Sequence, residues 1–229
     1  MRSFVFALAL ALLLVPAAGH ARCRMSPGDQ LVLVGTRAES GVVLFERRAA
    51  YAEGTLLTGQ TPDRLAIRRD ACTSHCDAQA PLETIAPNLY ALRLPRGVQP
   101  GRWRVRTQGA GGASFEVGAS HARAPITARP VVTGQTPRQA GTRFFVPEIV
   151  LTAPAPADAV GVLARWQGSS FFMGAEDDRT HFVLSPGRCR AALPGFTMPA
   201  AGEPIELAFV DAQGRLSPTS TIAFSDPSQ

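Results

Sequence analysis

From Gln30 onward the chain changes polarity in short bursts: runs of four to eight residues alternate apolar and polar positions, and Gly, Pro, Asp or Asn ends each run. A period of two held over such lengths is the signature of half-buried strands, and helical periodicity is scarce. The pattern predicts strands near Gln30 to Gly35, Val42 to Arg47, Arg64 to Arg68, Leu89 to Leu94, Arg102 to Thr107 and Ser114 to Gly118. In Arg102-Trp103-Arg104-Val105-Arg106 the alternation aims Trp103 and Val105 at a core and the three arginines away from it. Gln108 to Gly112 is Gly-rich and turns the chain into Phe115 and Val117, so a hairpin is expected there. Between Asp70 and Asn88 the residues are small, polar or Pro, which reads as a long loop, and around Gly118 to Pro130 periodicity lapses again, as in a linker. A second set of strands is expected at Phe145 to Thr152, Val160 to Trp166, His181 to Ser185, Ile205 to Val210 and Ser220 to Ser225. Ala157 to Trp166 is Ala-rich, and a helix is the alternative there. The fold class that follows is all-β, with two tandem sandwiches spanning 22–120 and 121–229.

The first 21 residues do not fit this pattern. Met1 and Arg2 are followed by twelve apolar residues, Phe4 to Val15, and by small residues from Pro16 to Ala21. This is the tripartite form of a cleaved signal peptide, and a run of twelve is shorter than the about 20 residues a spanning helix needs. Cleavage after Ala21 leaves 208 residues beginning at Arg22; cleavage after Gly19 would instead make His20 the first residue. His20-Ala21-Arg22 lacks the Leu and small residues that a lipoprotein start at Cys23 requires. The expected location is therefore extracytoplasmic, either periplasmic or secreted, with no transmembrane segment in the mature chain.

Export bears on the four cysteines, Cys23, Cys72, Cys76 and Cys189, because an oxidising compartment turns an even set into disulfides. Three connectivities are open. The short Thr-Ser-His spacer favours a Cys72–Cys76 ring, which would leave Cys23 and Cys189 as a long-range tie; a crossed pairing is the other arrangement. The same Cys72-Thr73-Ser74-His75-Cys76 segment carries two thiols and an imidazole, so zinc or a soft metal is an alternative occupant. A second metal reading would use His20 as an amino-terminal copper ligand, with His75, His121 or His181 supplying another imidazole.

Charge changes the picture further. Of 23 basic residues all are Arg, against 18 acids, for a net charge of +5. Without Lys, the chain cannot use a Schiff-base, phosphate-loop or kinase lysine. It also holds no Gly-x-Ser-x-Gly and no His-Glu-x-x-His, and Glu176-Asp177-Asp178 lacks calcium-loop spacing and reads as a solvated loop. Residues 22–120 carry 13 Arg and 9 acids, whereas 121–229 carry 9 of each. If the Arg64 and Arg102 strands are neighbours, Arg64, Arg68, Arg102, Arg104 and Arg106 share one outward face. Guanidinium forks there suit phosphate, sulfate or carboxylate, and Glu116 on the next strand is a candidate internal counter-charge. An ordinary solvated face is the alternative. Nucleic acid is not the expected partner, since aromatics are not interleaved with these arginines for stacking.

Two short segments carry a resemblance. Leu207-Ala208-Phe209-Val210-Asp211-Ala212-Gln213-Gly214-Arg215-Leu216-Ser217-Pro218 is similar to the last hairpin of fibronectin type III modules, and Val98-Gln99-Pro100-Gly101-Arg102-Trp103-Arg104-Val105 resembles the entry to the penultimate strand of bacterial immunoglobulin-like domains. Leu207 stands where the fibronectin pattern usually has an aromatic residue. The resemblance implies a β-sandwich and, by analogy, a binding or spacer role. The expected function is non-catalytic: an exported recognition, adhesion or structural module of the cell envelope that uses no cofactor. Its expected partners are an anionic polysaccharide or an envelope protein. An extracytoplasmic copper or zinc protein is the alternative, and an enzyme acting on envelope polymers stands third.

Overall fold

A computed structural model describes residues 29–35, 37–38, 41–48, 55–57, 62–74, 76–105, 113–118, 123–140, 146–175, 178–185 and 196–225. Every regular element among them is a β-strand. In the N-terminal half these are β1 (Asp29–Leu33), β2 (Arg37–Ala38), β3 (Val42–Arg48), β4 (Thr55–Leu57), β5 (Arg64–Arg69), β6 (Asp77–Ala86), β7 (Leu89–Arg93), β8 (Gly101–Val105) and β9 (Ser114–Val117). They hydrogen-bond in the order β2-β9-β8-β5-β6-β7-β3-β1-β4.

That single sheet folds over into two layers because β6 serves two neighbours. Asp77 to Pro81 pair with β5, and Leu82 to Ala86 pair with β7. Pro81 has no N–H to give to a ladder, and the change of partner falls directly after it. A strand that passes from one layer to the other in this way makes the corner of a sandwich. Between the layers lie Leu31, Phe45, Leu65, Ile67, Leu82, Leu92, Trp103, Val105 and Phe115, all buried. Burial of each such side chain stabilises by about 1.5–3 kcal/mol relative to exposure. Trp103 faces inward as its alternation predicts, and its indole N–H donates to the Gln99 carbonyl at 3.0 Å.

The Asp70 to Asn88 loop expectation is corrected by β6, the longest strand of the half. Ala78, Ala80 and Pro81 gave that stretch too little side-chain bulk to read as a strand, but small residues suit a position where β6 bends between two layers. β2 and β4, each three residues or fewer, were likewise not expected.

The C-terminal half holds β10 (Gly134–Ala140), β11 (Val146–Thr152), β12 (Ala159–Trp166), β13 (Ser169–Gly174), β14 (His181–Leu184), β15 (Pro204–Asp211) and β16 (Ser220–Ala223). They form a three-stranded sheet, β10-β11-β14, facing a four-stranded one, β13-β12-β15-β16, around Ile149, Leu151, Val162, Trp166, Phe182, Leu207 and Phe209. The helix alternative for Ala157 to Trp166 is overturned: Ala159–Trp166 is the central strand β12, paired on both sides. Gln167 and Gly168, both at positive φ, make the tight turn into β13, a strand not expected from the alternation. β10 also precedes the expected start of this set near Phe145.

The Asp211 turn after β15 is organised by one buried carboxylate. Asp211 Oδ1 accepts from the N–H of Gln213 and of Arg215, both at 2.9 Å, and Oδ2 accepts from Arg215 Nε at 2.6 Å. Ser217 then closes the hairpin, its Oγ accepting from Phe209 N–H at 2.9 Å. The halves share no strand pairing among the described residues, but a third apolar cluster joins them, in which Leu44, Leu89 and Ala91 meet Leu163, Phe172 and Val210. Residues 119–122, at the expected domain boundary, lie outside the described residues, as do residues 1–21 of the expected signal segment.

Candidate functional site

The arginine face is built by register. β5 and β8 are antiparallel neighbours, with Ile67 opposite Val105 and Arg68 opposite Arg104. Leu65 and Ile67 point into the core, so Arg64 and Arg68 on the same strand point out; Trp103 and Val105 do the same for Arg102 and Arg104. On the far side of β8, Arg102 is paired with Glu116 of β9 and Arg104 with Ser114. β2 adds Arg37 beside Glu116, and β6 adds Asp77 beside Arg68.

Two rows of side chains result. In the first, Asp70, Arg102, Glu116 and Arg37 alternate in sign across the sheet. In the second, Asp77 is followed by Arg68 and Arg104 side by side, then by uncharged Ser114. Arg68 Nη1 lies 3.8 Å from Asp77 Oδ2. A single oxygen, Asp70 Oδ2, is shared by Arg102 Nε at 3.6 Å and Arg104 Nη2 at 3.5 Å. The three arginine side chains keep 52%, 62% and 54% of their surface in solvent for Arg68, Arg102 and Arg104, so these ion pairs are loose and contribute little to stability. Two cations directly opposed on adjacent strands are unfavourable by up to about 1 kcal/mol.

The structure thus brings Arg68, Arg102 and Arg104 together. Arg64 shares the face but sits four residues along β5, roughly 13 Å from Arg68, opposite Pro81. Arg106 lies outside the described residues. Glu116 stands where a counter-charge was expected, but Asp70 and Asp77 were missed. Both flank the cysteine loop: Asp77 reaches the face as the first residue of β6, and Asp70 as an extension of the β5–β8 ladder.

The Cys72–Cys76 disulfide is present, with a Cα–Cα distance of 5.5 Å. It closes the tip of the β5–β6 hairpin, where Arg69 N–H donates to Cys76 O at 2.9 Å. The bond consumes both thiols, so the zinc or soft-metal alternative for this segment is overturned. Cys23, Cys189, His20, His75 and His121 lie outside the described residues. Among the described residues no three His, Cys, Asp or Glu side chains are grouped as metal ligands, and no helix is long and apolar enough to cross a membrane.

No protein-family model matches the chain, and no curated protein matches it. Among solved structures it is similar to SGBP-B of the Bacteroides ovatus mixed-linkage glucan utilization locus in complex with a mixed-linkage heptasaccharide, at 12% identity and a TM-score of 0.25, over 88% of this chain and 46% of that one. The chain therefore spans under half the length of that protein. It is also similar to the fibronectin(III)-like modules of Clostridium thermocellum CbhA, at 12% identity and a TM-score of 0.24, over 86% and 95% of the two chains. Tandem Ig repeats of Dlar align at 12% identity and a TM-score of 0.24, over 86% and 98%. The all-β sandwich architecture itself rests on the strand order and the cores described above.

Proposed function

We propose that the chain is an exported, non-catalytic recognition module of the cell envelope, cleaved after Ala21, whose N-terminal domain (22–120) engages an anionic polysaccharide through Arg64, Arg68, Arg102, Arg104 and Arg106. The observation that carries the reading is the outward, opposed pair Arg68 and Arg104. Asp77 and the shared Asp70 are two carboxylates against the three guanidinium groups of Arg68, Arg102 and Arg104, and an added anion relieves that imbalance. Loose, half-exposed arginines exchange partners readily, which suits a repeating polymer rather than one small tightly held ligand. The second domain (121–229) carries no net charge and serves as a structural neighbour.

The test is retention on immobilised polygalacturonate and on dextran sulfate, which present carboxylates and sulfate esters respectively. Binding should weaken as salt rises, because exposed charges are screened beyond about 10 Å at 0.1 M. The double variant R68A/R104A should lose about tenfold in affinity. Retention that ignores both salt and that variant would overturn the reading. Intact mass of the exported protein checks the rest: 208 residues less four hydrogens is expected, and bound metal would instead favour the amino-terminal copper alternative.

A further inference from the structure

Asp70 does more than balance charge on this face. It sits at the end of β5, where its N–H donates to the Arg102 carbonyl at 2.8 Å, so its backbone is held as an extension of the β5–β8 ladder. Two residues on, the Cys72–Cys76 disulfide ties the loop back to the start of β6, next to Arg69. Both constraints fix where the Asp70 carboxylate stands. It lies 3.6 Å from Arg102 Nε and 3.5 Å from Arg104 Nη2, with both contacts made by Oδ2. A carboxylate between two outward guanidinium groups is chemically what a uronate of an acidic polysaccharide would present.

We infer that Asp70 is a built-in counter-anion that occupies the fork between Arg102 and Arg104, restricting the open anion subsite to the Arg68 side of Arg104 and setting the affinity of the face for polyanionic glycans. The inference rests on the anion-face reading proposed above and deepens it. A polymer passing over the face finds the Asp70-Arg102-Glu116-Arg37 row already balanced, and gains beside Arg68 and Arg104, which face each other with Asp77 against Arg68 and only a share of Asp70 against Arg104. Any anionic group that enters the Arg102–Arg104 fork must first displace a tethered carboxylate that cannot diffuse away. The ligand class is a polymer with repeated carboxylates or sulfate esters.

The experiment uses the full mature chain and the same two probes, polygalacturonate and dextran sulfate. D70N keeps the shape of the side chain and removes its charge, and it should bind about two- to fivefold more tightly than the unaltered protein. D158N is the charge control: Asp158 pairs with Arg123 in the other half, at 2.6 Å, so it adds the same unit of net charge away from the face. If D70N and D158N tighten binding equally, the effect is one of net charge and the inference falls. If R68A/R104A weakens binding while D70N binds as the unaltered protein or more weakly, the face reading stands and the Asp70 inference falls. If R68A/R104A changes nothing, or no form binds either polymer, both fall. Tighter binding by D70N to both probes supports a shared anion subsite, and tighter binding to polygalacturonate alone assigns the fork to carboxylates.

Discussion

Asn88 and Phe172, 84 residues apart, form a two-point hydrogen-bonded pair across the junction of the two halves: Asn88 Nδ2 donates to Phe172 O at 2.8 Å, and Phe172 N–H donates to Asn88 Oδ1 at 2.8 Å. Phe172 lies on β13, whose other side is paired to β12, so its two backbone groups face out of an open sheet edge. The side-chain amide of Asn88 stands in for the missing neighbouring strand. Asn88 is only 1% exposed, and its backbone carbonyl accepts from Arg47 N–H at 2.9 Å. N88A should leave two buried backbone groups unpartnered and cost about 2–3 kcal/mol. N88D should be no better, because it sets an oxygen against the Phe172 carbonyl. Unfolding in urea followed on both variants checks this, and an unchanged midpoint for N88A would show that the pair does not hold the junction.

Two glycines separate backbone crowding from side-chain crowding at that junction. A methyl at Gly161 would overlap the Met173 carbonyl oxygen and come within 2.5 Å of the Phe172 ring. At Gly214 it would meet Ile85 Cδ1, the mobile end of a side chain, at 2.5 Å, though φ there is +77°. Gly161→Ala should therefore destabilise more than Gly214→Ala, with overpacking at the first costing about 1–3 kcal/mol and left-handed strain at the second about 1. Adding Ile85→Ala to Gly214→Ala should recover none of the backbone strain. Thermal unfolding of the three variants ranks them, and the reverse order would contradict the packing described.

The hairpin disulfide closes a loop with a sequence separation of four. Loop-closure entropy for so short a ring is worth about 2 kcal/mol. C72S/C76S should lose no more than that, and it should also release Asp70 from its fixed place, so glycan affinity should shift in the same direction as in D70N. Folding stability and binding measured on one preparation test both statements, and weaker binding by the double serine variant would contradict the second.

Asp178 supplies a pH dependence. The Thr180 N–H, donating to its Oδ1 at 2.9 Å, and the ring of His181 against Oδ2 hold its carboxyl down at about 2, below the ordinary 3.8. A depressed carboxyl contributes stability that is fully present above its unfolded value and is lost as pH falls through the folded one. The difference between the unaltered chain and D178N should thus be constant above about pH 5 and vanish near pH 2. A carboxyl resonance of Asp178 titrating near 4 in the folded protein would refute this.

Much of the fold was legible because its strands alternate. Trp103 and Val105 against Arg102 and Arg104, or Leu65 and Ile67 against Arg64 and Arg68, leave one way to turn each strand that buries the apolar side. β6 was not legible, since Ala78, Ala80 and Pro81 carry little of the bulk that marks a buried strand. Its role comes from the neighbours it finds on either side of Pro81. β13 was missed for a different reason: Phe171, Phe172 and Met173 are buried in succession, so no alternation appears. One side of that strand packs into its own sandwich, and Phe172 packs against the other half.

The candidate site divides in the same way. Sequence alone determined that Arg68 and Arg104 point outward, that no lysine chemistry is available, and that four of the five net positive charges lie in residues 22–120, because local alternation and composition are properties of the chain itself. Only the tertiary structure decided that Arg68 faces Arg104, that Asp70 lies between Arg102 and Arg104, and that Asn88 reaches Phe172. Those are distances between segments that are far apart in sequence. They depend on strand register and on which layer each strand joins, and no local pattern encodes either one.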